Sequence, residues 1–277
     1  LCKYAKLKED ERQFRMALEI YLKAEQWLDA VRIYLDHLDS PGEAVRLVRD
    51  KRSIEGAKLI AKYFQRRDDM VTAIEFLVIS KCFEDAYNLA KTTNHMDTFA
   101  DILEDYGDPQ ANQQDFRSVA IYYEQDNKLL RAGKFYCLSK FYKKGVKLLL
   151  QAASATPDHE NEAMTLAINA AAEARDEQIN RLIIDFLVGE NDDEPRDFKY
   201  LFKLYMKLER YDDASKMAII ISVEEQKLGN YRNSHQLLFG MCSELRHNNI
   251  PIPSEMSANL LLIHSYMLAK VSRTQSS

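Results

Sequence analysis

Glycine and proline are scarce in this sequence, with eight and six residues respectively among 277. Tight-turned β folds need both residue types at many turns, so their scarcity disfavours an all-β domain and favours long helices. No hydrophobic run approaches the roughly 20 residues that a membrane-spanning helix requires. We therefore expect a helical protein without a transmembrane segment.

Cysteine and positive charge are also limited. The four cysteines form no CxxC motif and no Cys/His cluster, which predicts reduced core thiols rather than a disulfide framework or a zinc site. Lysine and arginine number 38 against 43 aspartates and glutamates, a net charge of −5. Because binding along nucleic acid requires a basic face, we expect no nucleic-acid partner.

Motifs for catalysis or cofactor binding are lacking too. Neither GxGxxG nor GxxxxGK[ST] occurs, and no two histidines are three or four residues apart. His235 and His264 fall on long predicted helices, where we expect them to serve the core. The acidic stretch Glu190, Asp192, Asp193 and Glu194 lacks the glycine and the final glutamate of an EF-hand loop. We predict no catalytic residue, no metal site and no cofactor.

A helical template recurs along the chain. A bulky residue is followed three positions later by a small one, and by apolar residues four and seven positions later, all on one helix face. The small residue allows a neighbouring helix to approach closely. The copies begin at Trp27, Met70, Phe83, Leu129, Tyr142 and Tyr211. The small positions are Ala30, Ala44, Ala57, Ala73, Ala86, Ala132, Gly145 and Ala214.

The first five small positions lie 13 to 16 residues apart, which fits one helix and a short turn. Two helices then occupy 27 to 29 residues, fewer than the 34 of a standard tetratricopeptide (TPR) repeat. We predict an all-α, TPR-like solenoid of antiparallel helix pairs that forms a superhelix as one domain over residues 1–277. About sixteen helices are expected between residues 12 and 271.

Polar segments that contain glycine and proline interrupt the pattern near residues 106–114 and 189–197, where we expect looser loops. Gly229 suits a left-handed position at a helix end. The first residue is leucine, not methionine, so we expect the chain to be part of a larger protein.

A basic cluster lies between residues 128 and 147, and no aspartate or glutamate occurs from Asn127 to Pro157. Aromatic residues are interleaved with it, and one interpretation is a surface for acidic protein, anionic lipid or RNA. The alternative interpretation is a solvated face of the solenoid. The acidic stretch at 190–194 is a second predicted partner surface. The basic residues are Lys128, Arg131, Lys134, Lys140, Lys143, Lys144 and Lys147.

Several segments resemble the TPR-like region of WD-repeat subunits of the intraflagellar transport A complex. They include AIEFLVISKCFEDAYNLA at 73–90, GENDDEPRDFKYLFKLYM at 189–206, and the whole of 218–270 with its LGNYRNS turn. The resemblance implies WD-repeat β-propellers before this region and a Cys-rich zinc-binding end after it, both missing here. It also implies a non-catalytic scaffold with no catalytic residues.

Partners and location follow from the same resemblance. It implies assembly with other transport A subunits, and indirect contact with dynein-2 and with ciliary membrane cargo. The implied roles are retrograde ciliary transport and the ciliary entry of membrane cargo. The implied locations are the cilium or flagellum, the basal body and the cytoplasm.

Alternatives remain open from the residues alone. A coat-type vesicle-trafficking solenoid uses comparable helices, and only the resemblance favours ciliary transport over it. A repeat-type RNA-binding protein reads about one base per repeat, but the net charge and the irregular repeat length disfavour it. An enzyme ranks last because no nucleophile–base pair or metal constellation is evident.

Overall fold

The computed structural model describes residues 1–107, 112–189 and 196–275, with side chains as far as Lys270. These residues form seventeen α-helices and no strand. The chain divides into two compact units, Leu1–Val119 and Ala120–Ser277. The prediction of an all-α, TPR-like solenoid is confirmed.

The first unit contains short helices of nine to thirteen residues. They are α1 (Cys2–Asp10), α2 (Phe14–Lys23), α3 (Trp27–Asp36), α4 (Pro41–Lys51), α5 (Ile54–Arg66), α6 (Met70–Ile79), α7 (Phe83–Thr92) and α8 (Met96–Tyr106). The boundary between the units falls inside α9 (Gln113–Gln125).

The second unit contains helices of 10 to 22 residues. They are α10 (Leu129–Leu138), α11 (Tyr142–Ala155), α12 (Pro157–Ala174), α13 (Glu177–Val188), α14 (Phe198–Lys207), α15 (Tyr211–Lys227), α16 (Tyr231–His247) and α17 (Ser254–Gln275). No helix among the described residues has both the length and the apolar character needed to cross a bilayer.

Contacts between helices are local in sequence. In the described part of each unit, the helix pairs that pack extensively are one or two positions apart along the chain. Pairs two apart include α3 with α5 and α6 with α8 in the first unit, and α11 with α13 and α12 with α14 in the second. Stacked repeats give this pattern, since each repeat contacts only its neighbours.

Small residues lie at the helix contacts. The alanines of the template, Ala30, Ala44, Ala57, Ala73, Ala86, Ala132 and Ala214, have no exposed surface. Each copy of the template begins at the first residue of a helix. That bulky residue is half-buried beside the turn; Trp27, for example, starts α3 and lies 4.8 Å below the Lys51 ammonium group. The template therefore marks where a helix starts as well as which face it buries.

Most turns share one short form. A residue with positive φ lies two positions before the next helix, as at Glu25 (56°), Lys81 (59°) and Glu209 (58°). The next residue donates its backbone N–H to the carbonyl five positions earlier, as from Cys82 to the Leu77 oxygen at 2.9 Å. This bond closes the helix end. Gly229, expected in this role, has a φ of 81°.

The predicted helix count and starting point are wrong. The first helix is α1, which begins at Cys2 and was missed because its lysine- and glutamate-rich sequence buries only Ala5. The last helix extends to Gln275 instead of ending near 271. The two predicted loops lie between α8 and α9 and between α13 and α14, but residues 108–111 and 190–195 are outside the described part. Their looseness, and the single domain over 1–277, stay predictions.

Replacing Ala214 or Ala86 with tryptophan will overfill a helix contact, because neither alanine has any exposed surface. We expect a loss of about 1–3 kcal/mol or more in the free energy of unfolding, measured by urea denaturation. Ala258→Trp on the exposed side of α17 is the matched control and will change stability little. Unchanged stability in both buried variants would show that these positions do not face a neighbouring helix.

Replacing Lys81 with glycine will stabilise the chain. A lysine at φ 59° has a steric cost of about 1 kcal/mol or more that glycine avoids, while glycine loses more backbone entropy on folding. We expect a net gain of roughly 0.5–1 kcal/mol. The control is Lys62→Gly in the interior of α5, where the same change costs about 1 kcal/mol. Equal losses in both variants would contradict the proposed role of the left-handed turn.

Candidate functional site

The predicted basic residues follow α10 from one end to the other. Lys128 precedes the first residue of α10, Arg131 and Lys134 lie within it, and Lys140 occupies the turn after it. The remaining three lie in the first two turns of α11. Ten residues of helix span about 15 Å. The two ends of the cluster are therefore separated by the length of α10.

Four of the lysines line one groove, which we call the basic groove. Its near wall is the α10–α11 turn and the start of α11, and its far wall is the α12–α13 turn. The volume is about 530 Å³. The near wall consists of Lys140, Phe141, Tyr142, Lys143, Lys144 and Lys147, and the far wall of Ala174, Asp176 and Ile179.

Lys144 is held in a three-member polar cluster. Its ammonium group donates to Glu124 Oε2 at 2.7 Å and to the Tyr136 hydroxyl at 2.9 Å, and the hydroxyl donates to the same carboxylate at 2.5 Å. These bonds connect α9, α10 and α11. Hydrogen bonds from Lys144 and then Tyr136 hold the pKa of Glu124 below its usual value. The charge of Lys144 is therefore already compensated.

The other lysines of the basic groove are not paired with a carboxylate of any described residue. Lys143 donates to the neutral amide oxygen of Gln178 at 3.2 Å. Lys140 and Lys147 are exposed and form no ion pair with any described residue. Phe141 follows Lys140 in the sequence and lines the same groove, with 44% of its surface exposed. The groove therefore offers uncompensated positive charge next to an aromatic ring.

Lys128 and Arg131 lie elsewhere. They line a second groove of about 440 Å³ with Leu129, Leu130 and His159. Lys128 pairs with Asp126 at 3.1 Å, and Arg131 donates to the Tyr123 hydroxyl at 3.1 Å. Lys134 is half-buried and lines neither groove. The contiguous run in the sequence is thus divided between two places.

Two glycines set the distance between α10 and α11. A Cβ added at Gly145 would lie 2.5 Å from Cys137 Sγ and 2.9 Å from the Gly133 carbonyl oxygen, while one at Gly133 would lie 2.7 Å from Leu149 Cγ. Since real Cβ atoms do not approach so closely, the backbones meet at a spacing that only glycine permits. This contact orients the first turn of α11 and its lysines.

The far wall of the basic groove was not identified from the sequence. Asp176 and Ile179 lie more than thirty positions after Lys140 and belong to no motif. They reach the groove because α11 packs against α13, two helices further along. The repeat spacing is the signal that identifies such neighbours, since it places the turns of alternate helices together.

Other predicted groups are accounted for as follows. Glu190, Asp192, Asp193 and Glu194 lie outside the described residues, and their role stays a prediction. His264 is exposed and His235 half-buried, so the expectation that both serve the core is wrong for His264. Among the described residues, no group of three or more His, Cys, Asp or Glu side chains is placed to hold a metal ion.

Burial raises the pKa of the Cys137 thiol to about 12, so it is not a thiolate nucleophile at neutral pH.

The Glu124 cluster predicts a dependence of stability on pH. A carboxyl whose folded pKa is lowered stabilises the fold above its ordinary pKa of 4.5, and this contribution disappears as the pH falls through the lowered value. Between about pH 6 and about pH 3, Glu124→Gln will therefore lose less stability than the unmodified chain in urea denaturation. Exposed Glu162→Gln is the control, and it will follow the unmodified chain. Parallel curves for Glu124→Gln would contradict the role of the cluster.

Comparison with known proteins identifies the family. The family model for the TPR domain of intraflagellar transport proteins 140 and 172 matches residues 2–156. The chain is 44% identical to WD repeat-containing protein 19 of Homo sapiens over 97% of its own length and 20% of that protein. It is 37% identical to WD repeat-containing protein dyf-2 of Caenorhabditis elegans over 96% of its length and 19% of that protein, so it spans about one fifth of these relatives. Since the family model covers more than half of the chain, the chain belongs to this family of intraflagellar transport TPR domains.

Proposed function

We propose that this chain is the assembly segment of a non-catalytic scaffold subunit of the intraflagellar transport A complex. In this role it binds neighbouring subunits of the complex and, through them, acts with dynein-2 in retrograde transport and in the entry of membrane cargo. It would act in the cilium, at the basal body and in the cytoplasm that supplies them.

The observation that carries the proposal is the similarity to WD repeat-containing protein 19, which extends over 97% of the chain. The fold suits the role, because a solenoid presents long surfaces on rigid helices. Side chains on such surfaces lose little freedom when a partner binds.

The basic groove is the surface that we assign to a partner, and an acidic protein segment is the partner it suits. Lys140 and Lys147 carry charge that no described residue neutralises, and their attraction steers and orients an acidic chain. Phe141 provides an exposed aromatic surface of the kind that anchors partners at the centre of an interface.

The shape of the groove favours protein over RNA or lipid. A nucleic-acid backbone or a lipid surface presents an extended array of phosphates, which calls for a broad basic face. Here Lys140, Lys143 and Lys147, which have no acidic partner among the described residues, line one groove of about 530 Å³, with Asp176 on its far wall, and the whole chain carries a net charge of −5. A short acidic segment fits these limits.

Charge reversal of Lys140, Lys143 and Lys147 to glutamate tests the proposal. Each exposed charge contact contributes about 0.2–1 kcal/mol, and reversal replaces attraction with repulsion. We expect the triple variant, expressed within the full-length protein in ciliated cells, to recover at least one transport A subunit roughly tenfold less efficiently. The measurement is quantitative co-purification, together with localisation to the cilium.

The control carries the same change of charge at Lys62, Lys91 and Lys207, which are exposed but lie outside the groove. Normal recovery by the groove variant would contradict the assignment of this surface. Failure of the unmodified protein to recover any transport A subunit would contradict the scaffold function itself. A further outcome is that the unmodified chain shifts RNA in a gel or binds anionic vesicles. If the groove variant loses that binding, the ligand of the groove is RNA or anionic lipid and not an acidic segment.

A further inference from the structure

Two histidines from different helices meet on the surface of the last helix pair. His235 lies in the second turn of α16, and His264 lies in the middle of α17. His264 Nδ1 is 3.3 Å from His235 Nε2, and the ring centroids are 5.4 Å apart. The six histidines are spread over the sequence, so only the packing of α16 against α17 brings these two together.

The pairing rests on a well-packed contact. Leu238, Met241 and Leu245 of α16 are buried against Met256 and Ile263 of α17. Ile263 is 2% exposed and is the residue immediately before His264, so the orientation of α17 at this point is set by the core. On the α16 side, the ring of Phe239 lies nearly parallel to His235, at an interplanar angle of 9°.

The distance between the two nitrogens matches that between two ligands of one metal ion. Zinc binds imidazole nitrogen at about 2.0–2.1 Å with tetrahedral geometry, which places two such nitrogens about 3.3–3.4 Å apart. In the hydrogen bond between the two rings, one of the facing nitrogens carries a hydrogen and the other accepts it. Moving that hydrogen to the outer nitrogen of its ring leaves two lone pairs directed at the same space.

We propose that His235 and His264 form a two-histidine site for a divalent transition-metal ion, for which Zn²⁺ is the probe. Water completes the coordination, because among the described residues no third His, Cys, Asp or Glu joins the pair. Imidazole is a preferred ligand for zinc, copper and nickel. The ion links α16 to α17 and thereby fastens the last helix.

Two neighbouring groups in the groove of the histidines, Cys242 and Arg246, are not ligands of the ion. Cys242 lines the same groove, but it lies seven residues, about 10 Å, further along α16, and burial raises the pKa of its thiol. Arg246 lines the same groove from about 16 Å along the helix, and its positive charge weakens the binding of a cation. The site is therefore open and weaker than a structural zinc site with four protein ligands.

The full 277-residue chain tests the site by isothermal titration with ZnCl₂ and by thermal unfolding with and without the ion. The expected result is uptake of one ion per chain and a higher Tm in zinc, since a ligand that binds only the folded state stabilises it. His264→Gln abolishes both effects. Because His264 is exposed, this variant keeps the Tm of the unmodified chain when zinc is absent.

His247→Gln is the matched control, since His247 is exposed and ends α16, about 18 Å along the helix from His235. It retains both the uptake and the shift in Tm. Uptake that persists in the His235→Gln, His264→Gln double variant would overturn the proposal, as would a lack of uptake by the unmodified chain. Neither result bears on the scaffold function, which does not depend on this site.

Discussion

The close approach of helices at small residues is the contact on which the rest of this structure depends. At the α10–α11 contact, Gly145 and Gly133 bring backbone against backbone, and a single methyl group at either position would collide with its neighbour. Elsewhere fully buried alanines occupy the same place in the template. A helix that lies this close to its neighbour cannot rotate without losing the contact. The exposed side chains of each helix are therefore fixed in direction by residues on the opposite face, and the lysines of the basic groove are one example.

Helix identity and the buried face were predictable from the sequence because both depend on local periodicity. The spacing of Ala30, Ala44, Ala57, Ala73 and Ala86 equals the length of one helix and one turn. This length depends on residues that are close together in the sequence. The turns were less predictable, since glycine is the usual signal for a left-handed residue. Here glutamate, lysine, asparagine and aspartate occupy most of these positions, held there by the backbone bond that closes the helix. Helix α1 was missed for a related reason, because a helix that buries only Ala5 shows almost no periodic apolar face.

The candidate site was predictable only in part. The run of basic residues was visible, but its division into two grooves depends on the direction of α10. Neighbouring helices run in opposite directions, so alternate turns lie at the same edge of a layer of helices. The turn before α10 joins the turn after α11 to form the groove of Lys128 and Arg131, and the turn after α10 joins the turn after α12 to form the basic groove. The acidic partner of Lys144 was hidden for the same reason: Glu124 precedes the run in sequence and meets this lysine only in space.

This arrangement also separates the charges that hold the fold from those that are available to a partner. Lys144 and Glu124 are adjacent in space and neutralise one another, and with Tyr136 they connect three helices; a partner that competed for Lys144 would have to break those bonds. Lys140 and Lys147 lie beside this cluster without a carboxylate of their own among the described side chains, so a partner gains their attraction without first disrupting the fold. The run of lysines thus contains two kinds of residue: some stabilise the fold through an ion pair, and others are available to a partner. In a solenoid the distinction depends on whether a neighbouring helix places an acidic side chain against that lysine, as α9 does for Lys144, which explains why neighbouring lysines of one short sequence have different roles.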